Sequence, residues 1–483
     1  MNETHDACCP RPDSGAVGGA FDLAVVGAGS AGFSAAITVA DEGGRVALIG
    51  HGTIGGTCVN IGCVPSKTLI RAAETLYHAR SAERFGGIGA AARLTDWSAV
   101  MADKRTLVET LRQAKYADLL ASYPTLTYMP GRARLAAGGV EVDGHGLVRA
   151  AKTIIATGSS PAIPPIDGID GVAYLTSESA LEIDHLPQSL IVIGGGVIGV
   201  ELGQMFARFG SHVTIVCRSR LLPSGEPEVG EALEAALGAE GIEIVRGVSY
   251  RSIARSDGAI HLEVEQQSRV RRLEGEEVLV ATGRRPNTDG LGLAEQGIER
   301  GANGGILVDD QMRTSRAGVY AAGDVTGRDM FVYMAAHGAR VAALDALGDG
   351  SLSYDRLAMP EVVFTDPQVA TVGLTEARAR AAGIEVRTSL LGLEHVPRAL
   401  AARDTRGLIK LVAEAAGKRL IGAHIIAPEG ADTVQTAAIA IRAGLTVDQL
   451  GAMIFPYLTT VEGLKLAAQT FDKDVAKLSC CAG

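Results

Sequence analysis

The chain has 483 residues, too many for one ordinary core, and its 47% hydrophobic and 21% charged content is that of a globular rather than a disordered protein. A net charge of −10 with no long Lys/Arg block argues against nucleic-acid binding, and glycines interrupt the apolar runs before they reach the length of a membrane span. The opening Met1-Asn2-Glu3-Thr4-His5-Asp6 has neither the basic nor the apolar stretch of a secretory signal, so a cytoplasmic protein is expected.

Residues 1–19 read as a flexible arm that contains Cys8-Cys9. A strand from Phe21 to Val26 then meets Gly27-Ala28-Gly29-Ser30-Ala31-Gly32 and an Ala-rich helix, and a second strand runs from Arg45 to Ile49. The same grammar returns as a strand from Ser189 to Ile193, Gly194-Gly195-Gly196-Val197-Ile198-Gly199, a helix from Glu201 to Phe209 and a strand from His212 to Val216. Between a strand and a helix, the first glycine permits a tight turn and the second lets the backbone approach a pyrophosphate. The third lets helix and strand pack closely. Two such units predict an α/β fold with two Rossmann-like nucleotide-binding domains, sited at Gly27, Gly29 and Gly32 and at Gly194, Gly196 and Gly199. From about Ala358 the pattern becomes mixed strands and helices, and residues 473–483 read as a tail.

The second strand of each unit discriminates between nucleotides, because an acid at its end binds a ribose 2′-OH. In the second unit that place holds Cys217, followed by Arg218-Ser219-Arg220. Guanidinium groups suit a 2′-phosphate, so Arg218 and Arg220 favour NADPH over NADH. Cys217 reads as a half-buried small residue. In the first unit Gly50 precedes His51 and no acid is present.

Seven cysteines fall at 8, 9, 58, 63, 217, 480 and 481, an odd and clustered set unlike a secreted disulfide framework. The most specific stretch is Gly55-Gly56-Thr57-Cys58-Val59-Asn60-Ile61-Gly62-Cys63-Val64-Pro65-Ser66-Lys67. In an ideal helix, cysteines five apart have Cα atoms roughly 8–9 Å apart. A disulfide wants about 4.4–6.8 Å. A bond between Cys58 and Cys63 therefore needs a distorted turn, and strain makes it easier to reduce.

With these residues, and with Ala156-Thr157-Gly158, Ala281-Thr282-Gly283-Arg284-Arg285-Pro286-Asn287 and Ala321-Ala322-Gly323-Asp324 in order, the chain resembles the pyridine nucleotide–disulfide oxidoreductases from Phe21 onward. The resemblance implies FAD on the first glycine loop, NADPH on the second and a homodimer formed through a C-terminal α+β domain. It implies an FAD-binding domain at 20–160 and 285–355, an NADPH-binding domain at 161–284, a dimerisation domain at 356–472 and a tail at 473–483. By position, Gly52, Thr57, Lys67, Ala133, Asp324 and Val332 would line the FAD site. Cys63 would lie against the flavin as a thiolate, with Cys58 the exchanging sulfur, and Lys67 and Glu201 would pair beside the flavin edge.

Two departures narrow the resemblance. Disulfide-reducing members carry a His five positions before a Glu near the C-terminus, whereas here Tyr457 precedes Glu462. A phenol with an ordinary pKa near 10 is a poor proton shuttle at neutral pH. The chain also ends Leu478-Ser479-Cys480-Cys481-Ala482-Gly483. Adjacent Cα atoms lie about 3.8 Å apart, so two free thiols are simpler than a vicinal bridge. A thiol pair without fixed geometry suits a soft cation. Together, Cys58/Cys63, Tyr457 and the Cys-Cys tail resemble the mercuric reductases, in a form without their N-terminal metal-binding domain. That resemblance implies Hg(II), delivered as thiol complexes, as substrate. Cys58, Cys63, Cys480, Cys481, Tyr457 and Tyr116 would be its ligands, Tyr116 lying on a helix predicted from Arg105 to Leu120. The rival readings are a tail-dithiol relay like that of large thioredoxin reductases and a mercury-sequestering flavoprotein without turnover.

Overall fold

The computed structural model describes residues 20–477. Five parallel strands form the first sheet, in the order Val319–Ala321, Ala150–Ile155, Phe21–Val26, Val46–Gly50 and Leu126–Pro130. Its middle strands are apolar on both faces, as a sheet covered on both sides requires. The helix Ser30–Asp41 covers one face with Val332–Ala346, and a small antiparallel sheet begun by Ala133–Ala136 lies against the other.

The chain leaves this unit through Ser159–Pro161 and comes back through Arg284–Pro286, which pairs antiparallel with it. Between them lies a second parallel sheet in the order Glu243–Arg246, His212–Cys217, Ser189–Ile193 and Glu277–Val280. A three-stranded antiparallel meander spans Val248–Ser256, Ala259–Gln266 and Arg269–Gly275. The first unit is therefore discontinuous and the second inserted within it. The C-terminal unit is a five-stranded antiparallel sheet, Pro360–Val363 at one edge and Val386–Gly392 at the other, packed with the helices Gly430–Arg442, Val447–Ala452 and Glu462–Gln469.

One buried cluster joins Leu69, Ala73 and Met101 to Val200, Phe206 and Val369, so the helix Cys63–Arg80 is wedged between the inserted unit and the C-terminal sheet. The helix expected from Arg105 starts earlier, at Trp97, because the Asp96 side chain accepts from the N–H groups of Ser98 and Ala99 and caps it. It also does not run unbroken to Leu120. After Arg112 it widens into a π-turn at Gln113–Ala117, a deviation that often marks functional sites. Among the described residues, no helix is long and apolar enough to cross a membrane.

Candidate active site at the dithiol turn

The two glycine loops are built alike. Gly27 has φ +121°, and a Cβ there would lie 2.1 Å from the Ala156 carbonyl oxygen; Gly194 has φ +122°, and a Cβ would lie 2.3 Å from that of Ala281. At Gly32 and Gly199 an added Cβ would collide with the Gly27 and Gly194 carbonyls, at 1.7 and 2.0 Å. The first and third glycines thus let backbone meet backbone. The second ones face space: a Cβ at Gly196 would meet nothing within 4 Å, and one at Gly29 only the Gly56 Cα at 3.5 Å. Open backbone beside a helix N-terminus fits the pyrophosphates of FAD and NADPH at both loops.

Around the first loop, Gly52 is exposed with φ +78°, Thr57 and Ala133 are half-buried, and Val332 begins its helix at the surface. Asp324, just past Val319–Ala321, accepts from Ser159 Oγ at 2.6 Å. At the second loop, Cys217 is buried and Arg218 is exposed. Arg220 is already engaged, its guanidinium donating to the carbonyls of Leu222, Pro223, Gly225 and Glu226. Of the two arginines, Arg218 has the freer approach to a 2′-phosphate.

The dithiol stretch folds as two helices, Gly56–Ile61 and Cys63–Arg80, broken at Gly62. A Cβ at Gly62 would lie 2.8 Å from the Thr57 carbonyl oxygen, so only glycine allows this close break. The turn brings Cys58 within hydrogen-bonding reach of Cys63; both are free and half-buried. The Cys58 hydrogen bond is the main cause that lowers the Cys63 thiol to about 7, against its own burial and with help from the Lys67 ammonium. Cys63 also opens an 18-residue helix, whose N-terminus favours an anion. Cys58, donating that bond and partly buried, is held well above the ordinary thiol range. The pair is asymmetric: Cys63 ionises first, while Cys58 keeps its proton.

Lys67 stands one helical turn after Cys63 and donates to Glu201 Oε2 at 2.6 Å. Glu201 is only 4% exposed, on the helix Val197–Phe209, and its Oε1 accepts from the Phe364 N–H at 2.8 Å. Tyr116 reaches the dithiol from the π-turn. Its ring meets Phe33 edge-on at 4.9 Å, its hydroxyl lies 3.4 Å from Ser30 Oγ, and Gly55 packs against its face. Burial first, and then the nearby Cys58 and Cys63, push its phenol up.

Several contributors have no obvious mark in the sequence. Asn60, between the cysteines, donates to the carbonyls of Ile54 and Gly56 at 2.8 and 2.9 Å and accepts from Arg112 at 3.2 Å, tying the dithiol turn to the helix before Tyr116. Its place in the turn was the one available hint. Phe364 had none.

Tyr457 and Glu462 belong to the C-terminal unit. Glu462 is buried and accepts from the Leu458 N–H at 3.2 Å, while Tyr457 is exposed on the preceding loop. The same unit leaves Ile439, Met453, Leu458 and the 98% exposed Ile454 as exposed apolar side chains. Cys480 and Cys481, with Cys8 and Cys9, lie outside the described residues.

Comparison with known proteins places this geometry in a family. Residues 21–343 match the family described as pyridine nucleotide-disulphide oxidoreductase, and residues 359–468 match its dimerisation domain. The chain is 46% identical over 469 residues to a mercuric reductase of Streptomyces lividans, covering 96% of this chain and 98% of that one. It is 46% identical over 482 residues to a mercuric reductase of Acidithiobacillus ferrooxidans, covering 98% and 87%. Among solved structures, a Cu(II) complex of the HOCl-induced flavoprotein disulfide reductase RclA from Escherichia coli superposes with a TM-score of 0.83 at 29% identity, over 94% of this chain and 99% of that one. The chain belongs to the pyridine nucleotide-disulphide oxidoreductase family.

Proposed function

We propose that the chain is a mercuric reductase, which reduces Hg(II) to Hg(0) at the expense of NADPH. FAD and NADPH, held on the first and second glycine loops, supply the electron pair. The observation that carries the reading is the asymmetric Cys58–Cys63 pair beside Tyr116, in a chain whose proton-donor position holds Tyr457. Its support is the 46% identity to mercuric reductases over nearly the whole chain.

Cys63, the sulfur that ionises more easily, makes the first bond to the soft ion as a thiolate, and Cys58 gives up its proton on making the second. Lys67 and Glu201 stand beside the flavin edge, where the ammonium favours reduced, anionic flavin. Tyr116 and Tyr457 steady the ion during transfer. Cys480 and Cys481, from the opposite subunit of a homodimer, take Hg(II) from thiol complexes in solution and hand it to Cys58 and Cys63 by stepwise ligand exchange. The second copy covers the exposed apolar side chains of the C-terminal unit, Ile439, Met453, Ile454 and Leu458 among them. Because each thiolate displaces another, the ion is never free.

The test is NADPH oxidation on adding Hg(II) complexed by excess small thiol, with release of volatile metal. NADPH consumption on a disulfide substrate without consumption on Hg(II) would reject the function. Replacing Cys480→Ala and Cys481→Ala together should abolish turnover of the thiol complex, and unchanged rates would reject the relay.

A further inference from the structure

The helix Val197–Phe209 presents Glu201, Gln204 and Arg208 along one face, and all three grip a short segment of the C-terminal unit. The Phe364 N–H donates to Glu201. The Asp366 N–H donates to Gln204 Oε1, and Gln204 Nε2 donates back to the Asp366 carbonyl, both at 2.8 Å. Arg208 Nη2 donates to the Asp366 carboxylate at 2.9 Å. The segment is therefore zipped along the helix, and the Phe364 ring is held over the Lys67 ammonium, 5.0 Å from Nζ to the ring centroid.

Glu201 is thereby enclosed, and Lys67 is partly covered. One Glu201 oxygen takes Lys67 and the other takes the Phe364 N–H. Outside the pair lies a groove of about 320 Å³ lined by Lys67, Arg71, Glu74, Arg208, Phe364 and Asp366. Lys67 is 35% exposed, and the ring covers part of the ammonium.

We propose that Phe364 is a positioning residue for electron transfer: it fixes Lys67 against Glu201 and limits how far groove water screens the ammonium, so that the C-terminal unit tunes the charge felt at the flavin edge. An aromatic face attracts a cation directly, and an apolar wall lowers the local dielectric. The inference rests on the placement of Lys67 beside the flavin given under Proposed function.

The test compares holoenzymes carrying Phe364→Leu, Phe364→Tyr and Lys67→Met by the midpoint potential of the bound FAD, measured against a reference dye, and by thermal unfolding. Phe364→Leu should make the flavin harder to reduce, lowering the reduced-to-oxidised ratio about threefold at the wild-type midpoint, roughly 14 mV for a two-electron couple. Phe364→Tyr keeps the ring face, has the groove to receive its hydroxyl, and should retain the wild-type potential. Lys67→Met should lower the potential further. A Phe364→Leu enzyme that melts earlier at unchanged potential would reduce Phe364 to packing and overturn the proposal, as would equal shifts in the Leu and Tyr variants. A Lys67→Met enzyme of unchanged potential would remove the placement of Lys67 and the inference with it. Should Phe364→Leu not yield folded protein, Phe364→Met preserves the bulk without the ring and answers the same question.

Discussion

Replacing Cys58 by alanine removes the main cause of the low ionisation midpoint of Cys63 while leaving Lys67 and the helix N-terminus in place. A hydrogen bond to a charged group contributes about 1.5–3 kcal/mol, or about one to two pKa units. The Cys63 midpoint should therefore move from about 7 to roughly 8–9 in Cys58→Ala. The thiolate exists above the midpoint, so wild type and variant should differ most between these values and converge in strong alkali. At neutral pH the thiolate fraction should fall from about half to roughly 1–10%, with the rate of iodoacetamide alkylation falling in proportion. The assay is alkylation of the reduced enzyme across pH, with Cys63 followed by fragment mass spectrometry. Cys58→Ser keeps an O–H donor at the same place and should stay close to the wild-type midpoint. If Cys58→Ala also kept a midpoint near neutrality, the asymmetry of the pair would come from Lys67 and the helix terminus alone, and the hydrogen-bond account would be wrong.

Three further outcomes are expected. Arg208→Met leaves Glu240 and Asp366 buried without their shared guanidinium and should cost about 3–5 kcal/mol, read as an earlier first transition in urea; an unchanged transition would mean that Arg406 takes over both acids. Gly27→Ala drives a methyl into the Ala156 carbonyl and should yield colourless protein, whereas Gly196→Ala meets open space and should keep its flavin while raising the KM for NADPH about tenfold. Exposed Arg218, changed to Glu, should shift the ratio of kcat/KM values from NADPH toward NADH by about tenfold or more, and Arg220→Ala should instead loosen the 222–226 loop, seen as faster proteolysis there.

What was legible in the sequence was whatever has a fixed spacing. Gly27 and Gly194 announce their turns because no other residue accepts both the positive φ and the carbonyl contact. Cys58 and Cys63 announce a broken helix because an intact one would hold them too far apart. Less legible was everything set by elements distant in the chain. Asp96 starts its helix 20 residues before Tyr116, and nothing local signals the π-turn that places that phenol beside the dithiol. Arg218 and Arg220 look interchangeable in sequence, yet four carbonyls of one loop occupy Arg220 alone. Phe364 reads as an ordinary strand-end aromatic until the zipper between Glu201, Gln204 and the 364–366 segment is seen. Pairing over such separations depends on how the three units dock, which no short-range pattern encodes.

The proton balance explains why this fold can dispense with its usual acid. Reducing a disulfide with NADPH takes up a proton, since two thiols form for each hydride delivered, and a poised imidazole supplies it. Reducing Hg(II) with NADPH yields the metal atom, NADP⁺ and a proton, so nothing that leaves the site needs protonating. Glu462 then has no imidazole to orient, and its carboxylate holds the Leu458 N–H at 3.2 Å. Tyr457, on the loop beside it, is exposed, and in the proposed reaction its hydroxyl need only offer an oxygen to the passing ion rather than a proton. In the proposed reaction the proton that matters is the one on Cys58, lost to solvent when the second sulfur closes on the ion. A site that must release protons is better served by one thiolate and one thiol in contact than by an acid held in reserve. That is the arrangement of Cys63 and Cys58.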